Sequence, residues 1–277
     1  MPTIYEIADH ILSQSPYGLT NKELQKLLYL AQGFHLAKVG GPLFSEELHA
    51  WQHGPVHSGI WHKYKNLGYQ LIDRPSAATL TQLPAPTVAY IAAVVLAFGS
   101  IGQQTLIEYS HLDMPWAAKY SPGENALLDK DLIRGYFSSF ESFEMYKALA
   151  KAKYEFKKLL VSRCSYLRTL PAIGDDWISG TSVAPDQESC ETAYNFLSGY
   201  EKFLFATSPV PRLPKMILGP IPSGGVSIEL HGANSLYLNF RNNKTVEVES
   251  ETGGQFNDYE TSHSEFQNFH QQLYKFV

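Results

Sequence analysis

The sequence predicts an α+β chain: an all-helical N-terminal domain over residues 1–140, a helical connector over 141–205, and a small antiparallel sheet flanked by helices over 206–277. Three observations carry this. Thr3 with Glu6, and Thr20 with Glu23, form two capping boxes, each opening a run of apolar residues at helical spacing. From Val226 the apolar period changes to two, the period of a half-buried strand. Between these regions a Gly/Ser/Thr/Asp stretch at 174–184 and five prolines from Pro209 to Pro222 mark a change of organisation.

The first helix carries Ile4, Ile7, Ala8, Ile11 and Leu12 on one face. In the second, Leu19 before the cap and Leu24 inside it make a hydrophobic staple. Leu24, Leu27, Leu28, Ala31 and Phe34 or His35 form the buried stripe, and Gly40-Gly41-Pro42 stops it. Trp51 to Pro55 reads as a turn, and Val56 to Leu67 as a helix ending at Gly68. Residues 73–86 hold Pro75, Pro84 and Pro86 without periodicity and read as a loop. Pro86 then sits in the first turn of a helix bearing Val88, Ile91, Ala92, Val95 and Leu96. Gln103 to Ser110 is a further helix, closed by Asp113-Met114-Pro115-Trp116 because the residue before proline avoids helical angles. Asp129 to Arg163 reads as one long helix, with Phe140, Phe143, Tyr146, Ala150, Tyr154 and Leu160 along one side.

Beyond the loop, Pro185-Asp186-Gln187-Glu188 opens a helix with negative charge where the dipole favours it. Cys190, Ala193, Tyr194, Leu197 and Leu204 line its inner face, and the prolines up to Pro222 read as an extended linker. Val226, Ile228 and Leu230, then Leu236, Leu238 and Phe240, then Val246 and Val248 alternate around turns at Gly232–Ser235 and Asn242–Lys244. That predicts a meander of about three strands. A terminal helix from Glu265 to Phe276 is placed to cover one sheet face.

Composition narrows the function. Of 277 residues, 44% are apolar and 18% charged, as in a folded globular protein. The net charge is 22 − 27 = −5, so no global basic field exists to attract phosphate backbones. Cys164 and Cys190 lack the spacing of a thiolate metal site. The start of the chain has no basic and apolar leader pattern, and the longest apolar run, Val88 to Phe98, is half of what a spanning helix needs. The expectation is a cytoplasmic location, with no membrane and no cofactor.

Sites of chemistry are sparse. His49, His53, His57 and His62 crowd one region, but Gly54-Pro55 interrupts any helix joining His53 to His57, and no thiol or acidic third ligand follows at a regular interval. A metal-dependent hydrolase using His49, His53 and His57 with Glu46 or Glu47 is the enzyme alternative. Ser223-Gly224-Gly225 precedes a strand, whereas a phosphate loop feeds a helix N-terminus. Thr20 to Leu30 has the outline of half a helix-turn-helix, but Lys22, Lys26, His10 and Lys38 make a poor basic reading face. A DNA-binding autorepressor is therefore a secondary alternative. Aromatics at Tyr29, Phe34, Trp51, Trp61, Tyr64 and Trp116 suit a core, with Trp51 and Trp116 beside turns where an indole N–H can serve as lid or anchor.

The order of blocks is the strongest feature. Lys26-Leu27-Leu28-Tyr29-Leu30-Ala31-Gln32, Pro42-Leu43-Phe44, Trp51-Gln52-His53-Gly54-Pro55-Val56, Tyr64 with Gly68, and His111 with Pro115-Trp116 together resemble the Panacea domain of SocA-like antitoxins, over about residues 1–125. The resemblance implies a non-enzymatic bacterial antitoxin with a place in phage defence. It would neutralise a cognate, co-encoded protein toxin by binding it, and in SocA-like members would deliver the toxin to a AAA+ protease. It also implies that Lys26, Tyr29, Gln32, Trp51, Gly54, Pro55, Tyr64, His111 and Trp116 shape the binding domain or touch the partner. Gly54 and Pro55 would set a corner, Trp51 and Trp116 would pack or cap it, and Lys26 and Gln32 would anchor polar contacts. About 150 residues follow the domain, more than family members often have. Pro220 to Leu230 in that extension resembles a sheet module of toxin–antitoxin proteins.

Overall fold

The computed structural model describes residues 1–178, 180–211 and 213–275. They form two compact units, Met1–Tyr154 with Phe205–Val210, and Glu155–Leu204 with Pro211–Val277. The expected connector is thus shared out: 141–154 and 205 belong to the first unit and 155–204 to the second. The class is α+β, with a helical N-terminal region and a C-terminal antiparallel sheet flanked by helices.

The first unit opens with α1 (Ile4–Gln14) and α2 (Asn21–Val39), and both expected capping boxes are formed, Thr3 with Glu6 and Thr20 with Glu23. There follow β1 (Leu48–Trp51), β2 (Gly54–Val56), α3 (Ser58–Tyr64), α4 (Ala85–Phe98), α5 (Gln103–His111), α6 (Met114–Ala117), β3 (Ala126–Leu128) and α7 (Lys130–Phe137). The last helix, α8 (Phe143–Leu167), begins in this unit. Helix α2 is the hub, packed against α1, α3, α4, α5, α7 and β2. Gly33 makes the closest of these approaches possible, because the Phe137 ring occupies the space a Cβ would take. A helix buried all round is normally apolar all round. Here Gln25, Lys26 and Gln32 are buried with the leucines, so each must find a partner inside the unit.

Two expectations are corrected here. The N-terminal region is not all helical, since β1, β2 and β3 form a three-stranded sheet in the order β2-β1-β3. Strands of three or four residues are too short to show a period, so only the turn between two of them was visible. The long helix expected over Asp129–Arg163 is broken between α7 and α8. The apolar spacing runs straight through because Phe140 is buried inside the break. The signal for the break was Ser142, whose Oγ accepts from the Met145 N–H at 3.2 Å as a cap for α8.

The second unit holds α9 (Gln187–Thr207, as far as Leu204), then β4 (Lys215–Pro220), β5 (Gly225–His231), β6 (Ser235–Arg241), β7 (Thr245–Thr252), β8 (Gln255–Ser262) and α10 (His263–Phe269), with a 3-10 stretch to Lys275. All neighbouring strands are antiparallel, in chain order. Five strands replace the expected three: β4 lies inside the stretch read as a linker, and β8 lacks apolar alternation. The alternating set, Val226, Ile228, Leu230, Leu236, Leu238, Phe240, Val246 and Val248, is buried on one face. Phe266 of α10 meets Phe240 edge-on at 5.3 Å and also contacts Phe196 of α9, so helices line that face. The helical expectation at Phe276 lies outside the described residues. Strand β8 is a sheet edge, exposed from Gln255 to Glu260. Its Asp258 and Glu260 stand opposite Glu249 and Glu247.

Candidate partner-binding site

The site is assembled by α2 reaching across to residues 43–57. Gln32 accepts through Oε1 from the Leu43 N–H at 2.8 Å and the Phe44 N–H at 3.3 Å, and its Nε2 donates to the Phe44 carbonyl at 2.9 Å. One turn pair earlier, Gln25 accepts from the His57 N–H at 2.8 Å and donates to the His57 carbonyl at 3.3 Å. Between them, the Lys26 ammonium donates to the Pro55 carbonyl at 2.8 Å. These side chains stand in for strand partners, satisfying backbone groups that no sheet neighbour reaches.

The hairpin they hold turns at Gln52-His53. Neither residue has a positive φ, so the turn is not of the primed types, and the sharp angle falls on Gly54 at φ +95°. A Cβ there would sit 2.5 Å from Ser110 Oγ and 2.7 Å from Lys26 Nζ. Gly54 is therefore required twice, by its backbone angle and by the lysine packed against it. Burial of the Lys26 amine, reinforced by the nearby charge of Lys22, lowers its pKa to about 7. His53 is lowered as well, first by burial and then by Lys22 and Lys26.

Tryptophans brace the hairpin. Trp116 donates its indole N–H to the Trp51 carbonyl at 2.9 Å, and Trp51 donates to Asn125 Oδ1 at 2.6 Å. Trp116 is sandwiched between His111 and Tyr120, with ring centroids 4.1 Å and 4.5 Å away. Trp51 meets Trp61 edge-on at 5.5 Å. Beside them opens a cavity of about 180 Å³, lined by Lys22, Gln25, Lys26, Trp51, Gln52, His53, Gly54, Val56 and Trp61. Four of the residues singled out from the sequence thus meet around this hairpin: Lys26, Trp51, Gly54 and Trp116. Pro55 supplies the carbonyl that Lys26 holds, and His111 backs Trp116.

Three others lie elsewhere. Gln32 ties down the Leu43-Phe44 segment farther along α2. Tyr64, at the end of α3, packs against the core with the Lys63 amine 5.0 Å from its ring centroid. Tyr29 is wholly buried near Asp113 and meets Phe137 edge-on at 5.4 Å.

Asp113 anchors a polar cluster that sequence reasoning did not pick out as a site. Tyr136 and Tyr146 donate to its two carboxylate oxygens at 2.6 Å and 2.9 Å. Lys153 donates to the Leu112 carbonyl at 3.0 Å and to the Tyr136 oxygen at 3.3 Å. Burial raises the Asp113 pKa to about 6, against the opposing pull of Lys153 and the hydroxyls, and lowers Lys153 to about 8. The available signal was Lys153 standing on the apolar side of α8 beside Tyr146 and Ala150.

The histidines are spread along the hairpin. His49 lies in β1, His53 at the turn, and His57 caps α3 by accepting the Ile60 N–H at 3.2 Å on Nδ1. Among the described residues no group of three or more His, Cys, Asp or Glu side chains is placed to hold a metal ion. Glu47 pairs with Lys130 at 2.6 Å. Among the described residues no single helix is long and apolar enough to cross a membrane. A larger cavity, about 580 Å³, lies in the second unit between the end of α8 and α9, where Arg168 stacks on Tyr194. It contains none of the blocks that form the hairpin site.

Neither the curated proteins nor the solved structures contain a match to the chain. The family model described as Antitoxin SocA-like, Panacea domain matches residues 24–117, from the first turn of α2 to the end of α6. Lys26, Trp51, Gly54, Pro55, Trp61 and Trp116 of the hairpin site fall inside it, while Lys22, Tyr120 and Asn125 lie outside. Residues 24–117 are thus similar to the SocA-like Panacea antitoxin domain, and a further region with a five-stranded sheet follows them.

Proposed function

We propose that the chain is the antitoxin of a bacterial toxin–antitoxin system and silences a co-encoded toxin by binding it directly, in the cytoplasm and without catalysis. The observation that carries this is the family match over the helix-braced hairpin, a rigid presenting element with a half-buried tryptophan pair beside a small cavity. Aromatic anchors beside a pocket are what hot spots of protein interfaces are built from. A stable complex of this kind covers about 800 Å² on each partner, enough to occlude or distort a toxin's active site. The net charge of −5 would speed encounter with a cationic toxin.

Co-expression with the product of an overlapping or abutting reading frame tests the proposal. Growth arrest by that product alone, rescue by this chain, and copurification of the two are expected. A neighbouring product that arrests growth but is neither bound nor silenced refutes it, as does turnover of a substrate by the purified chain. A gel shift at physiological salt with the chain's own promoter would favour autorepression instead.

A further inference from the structure

The cavity beside the hairpin has a chemistry that specifies its occupant. Its floor is Lys26, only 3% exposed, whose ammonium carries three donors and spends one on the Pro55 carbonyl. Trp51, Trp61 and Val56 form apolar walls, while Lys22, Gln52 and His53 stand at the more open rim. No aspartate or glutamate lines it among the described residues, and neither Lys22 nor Lys26 has a carboxylate partner there. In a chain whose net charge is −5, the cavity thus gathers two lysines and no carboxylate, with the Lys22 amine 5.3 Å from the Tyr69 ring centroid.

Size excludes most alternatives. Pockets for drug-sized ligands and cofactors run to about 300–1,000 Å³. At about 180 Å³ this one holds a single side chain. Apolar walls suit methylene groups, and the buried ammonium suits an anion at their end.

We infer that the cavity is the socket for a glutamate side chain of the protein partner, its methylenes against the wall made by the Trp51–Trp61 ring pair and its carboxylate on the Lys26 ammonium. Lys22 closes over the same carboxylate from the rim. The socket deepens the antitoxin reading and rests on it: the bound toxin would present an acidic anchor to this hairpin. Lys26 then has two roles, clamping Gly54-Pro55 in the free protein and receiving the anchor in the complex.

N-acetylglutamate amide is the probe, with N-acetylglutamine amide as its neutral match and N-acetyl-alanyl-glycine as a free chain end. The readouts are the Trp51 and Trp61 indole N–H resonances and the pH titration of the Lys26 side chain by NMR. The glutamate probe is expected to give saturable shifts at concentrations about tenfold or more below those the glutamine probe needs. It is also expected to move the Lys26 midpoint upwards by about one pH unit or more. Lys22→Glu should abolish both effects with the fold intact, because this half-exposed position lies in the first turn of α2, where a carboxylate suits the helix dipole. Equal response to the glutamine probe, or none to either, overturns the inference. Saturation by the free chain end alone also overturns it, in favour of a terminal carboxylate. A Lys22→Glu chain that rejects the probe yet silences the toxin overturns the socket as the partner's anchor and leaves the antitoxin reading standing. Probe binding with no toxin to silence has the opposite effect.

Discussion

Replacing Gly54 by alanine tests the hairpin more directly than any other single change. At φ +95° an L-residue meets backbone strain of about 1–2 kcal/mol. The new methyl would also stand 2.5 Å from Ser110 Oγ and 2.7 Å from Lys26 Nζ. Ser110 cannot swing aside cheaply, because its hydroxyl is buried and donates to the Ile107 carbonyl at 2.8 Å. Lys26 must therefore move, and losing a hydrogen bond from a charged buried group costs about 1.5–3 kcal/mol. Together these predict a loss of about 3–5 kcal/mol, or roughly 6–20 °C in melting temperature for a unit of this size. Urea denaturation followed by tryptophan fluorescence reads it, since Trp51, Trp61 and Trp116 lie around the hairpin and Trp177→Phe silences the fourth indole. Combining Gly54→Ala with Lys26→Ala clears the Nζ and Cε atoms that the new methyl would strike, so the pair should be non-additive by about 1 kcal/mol or more. A loss below about 1 kcal/mol for Gly54→Ala alone would refute the account of Gly54 as the fixed point of the site.

Three further outcomes are expected. Gln32→Leu leaves the Leu43 and Phe44 amides and the Phe44 carbonyl without partners. It should cost about 2–5 kcal/mol and speed hydrogen exchange at those two amides. Stability should rise as pH increases from about 7 towards the ordinary lysine value of 10.5, because Lys26 releases its proton more readily in the folded chain. Lys153, lowered to about 8, adds to that rise, whereas Asp113, raised to about 6 from 3.8, makes stability fall between those two values. Denaturation midpoints across this range, compared with Lys26→Met, isolate the Lys26 part, and an unchanged profile in the variant would contradict it. Finally, burial pushes the Cys190 thiol up to about 12, so iodoacetamide at pH 8 should modify half-exposed Cys164 well before Cys190 in native protein. Mass spectrometry of partly labelled protein gives the order.

Legibility in the sequence followed the range of the interactions involved. The capping boxes at Thr3 and Thr20 are made within four residues, and the alternation from Val226 to Val248 needs only a period, so both could be read directly. Strands β1 to β3 could not, because three ladder pairs in each pairing leave no periodic trace. Strand β8 was hidden for another reason: being exposed on both faces from Gln255 to Glu260, it carries no apolar pattern. At the site, the Gly54-Pro55 corner was visible as chemistry, but its reason was not. Only the fold shows that Lys26, 28 positions earlier, leaves no room for a Cβ. Gln25 and Asp113 were passed over because a polar residue in a helix or at a turn is ordinarily solvated, and their burial is a tertiary fact.

The opposed carboxylates at the rim of the C-terminal sheet have a consequence for how copies of this chain coexist. An outermost strand with unpaired backbone groups invites another molecule's strand to dock alongside. Asp258 and Glu260, facing Glu249 and Glu247, give that border a row of like charge which an identical border would have to approach. The arrangement weakens the last ladder slightly through like-charge pairing, and in exchange keeps neighbouring molecules from zipping together.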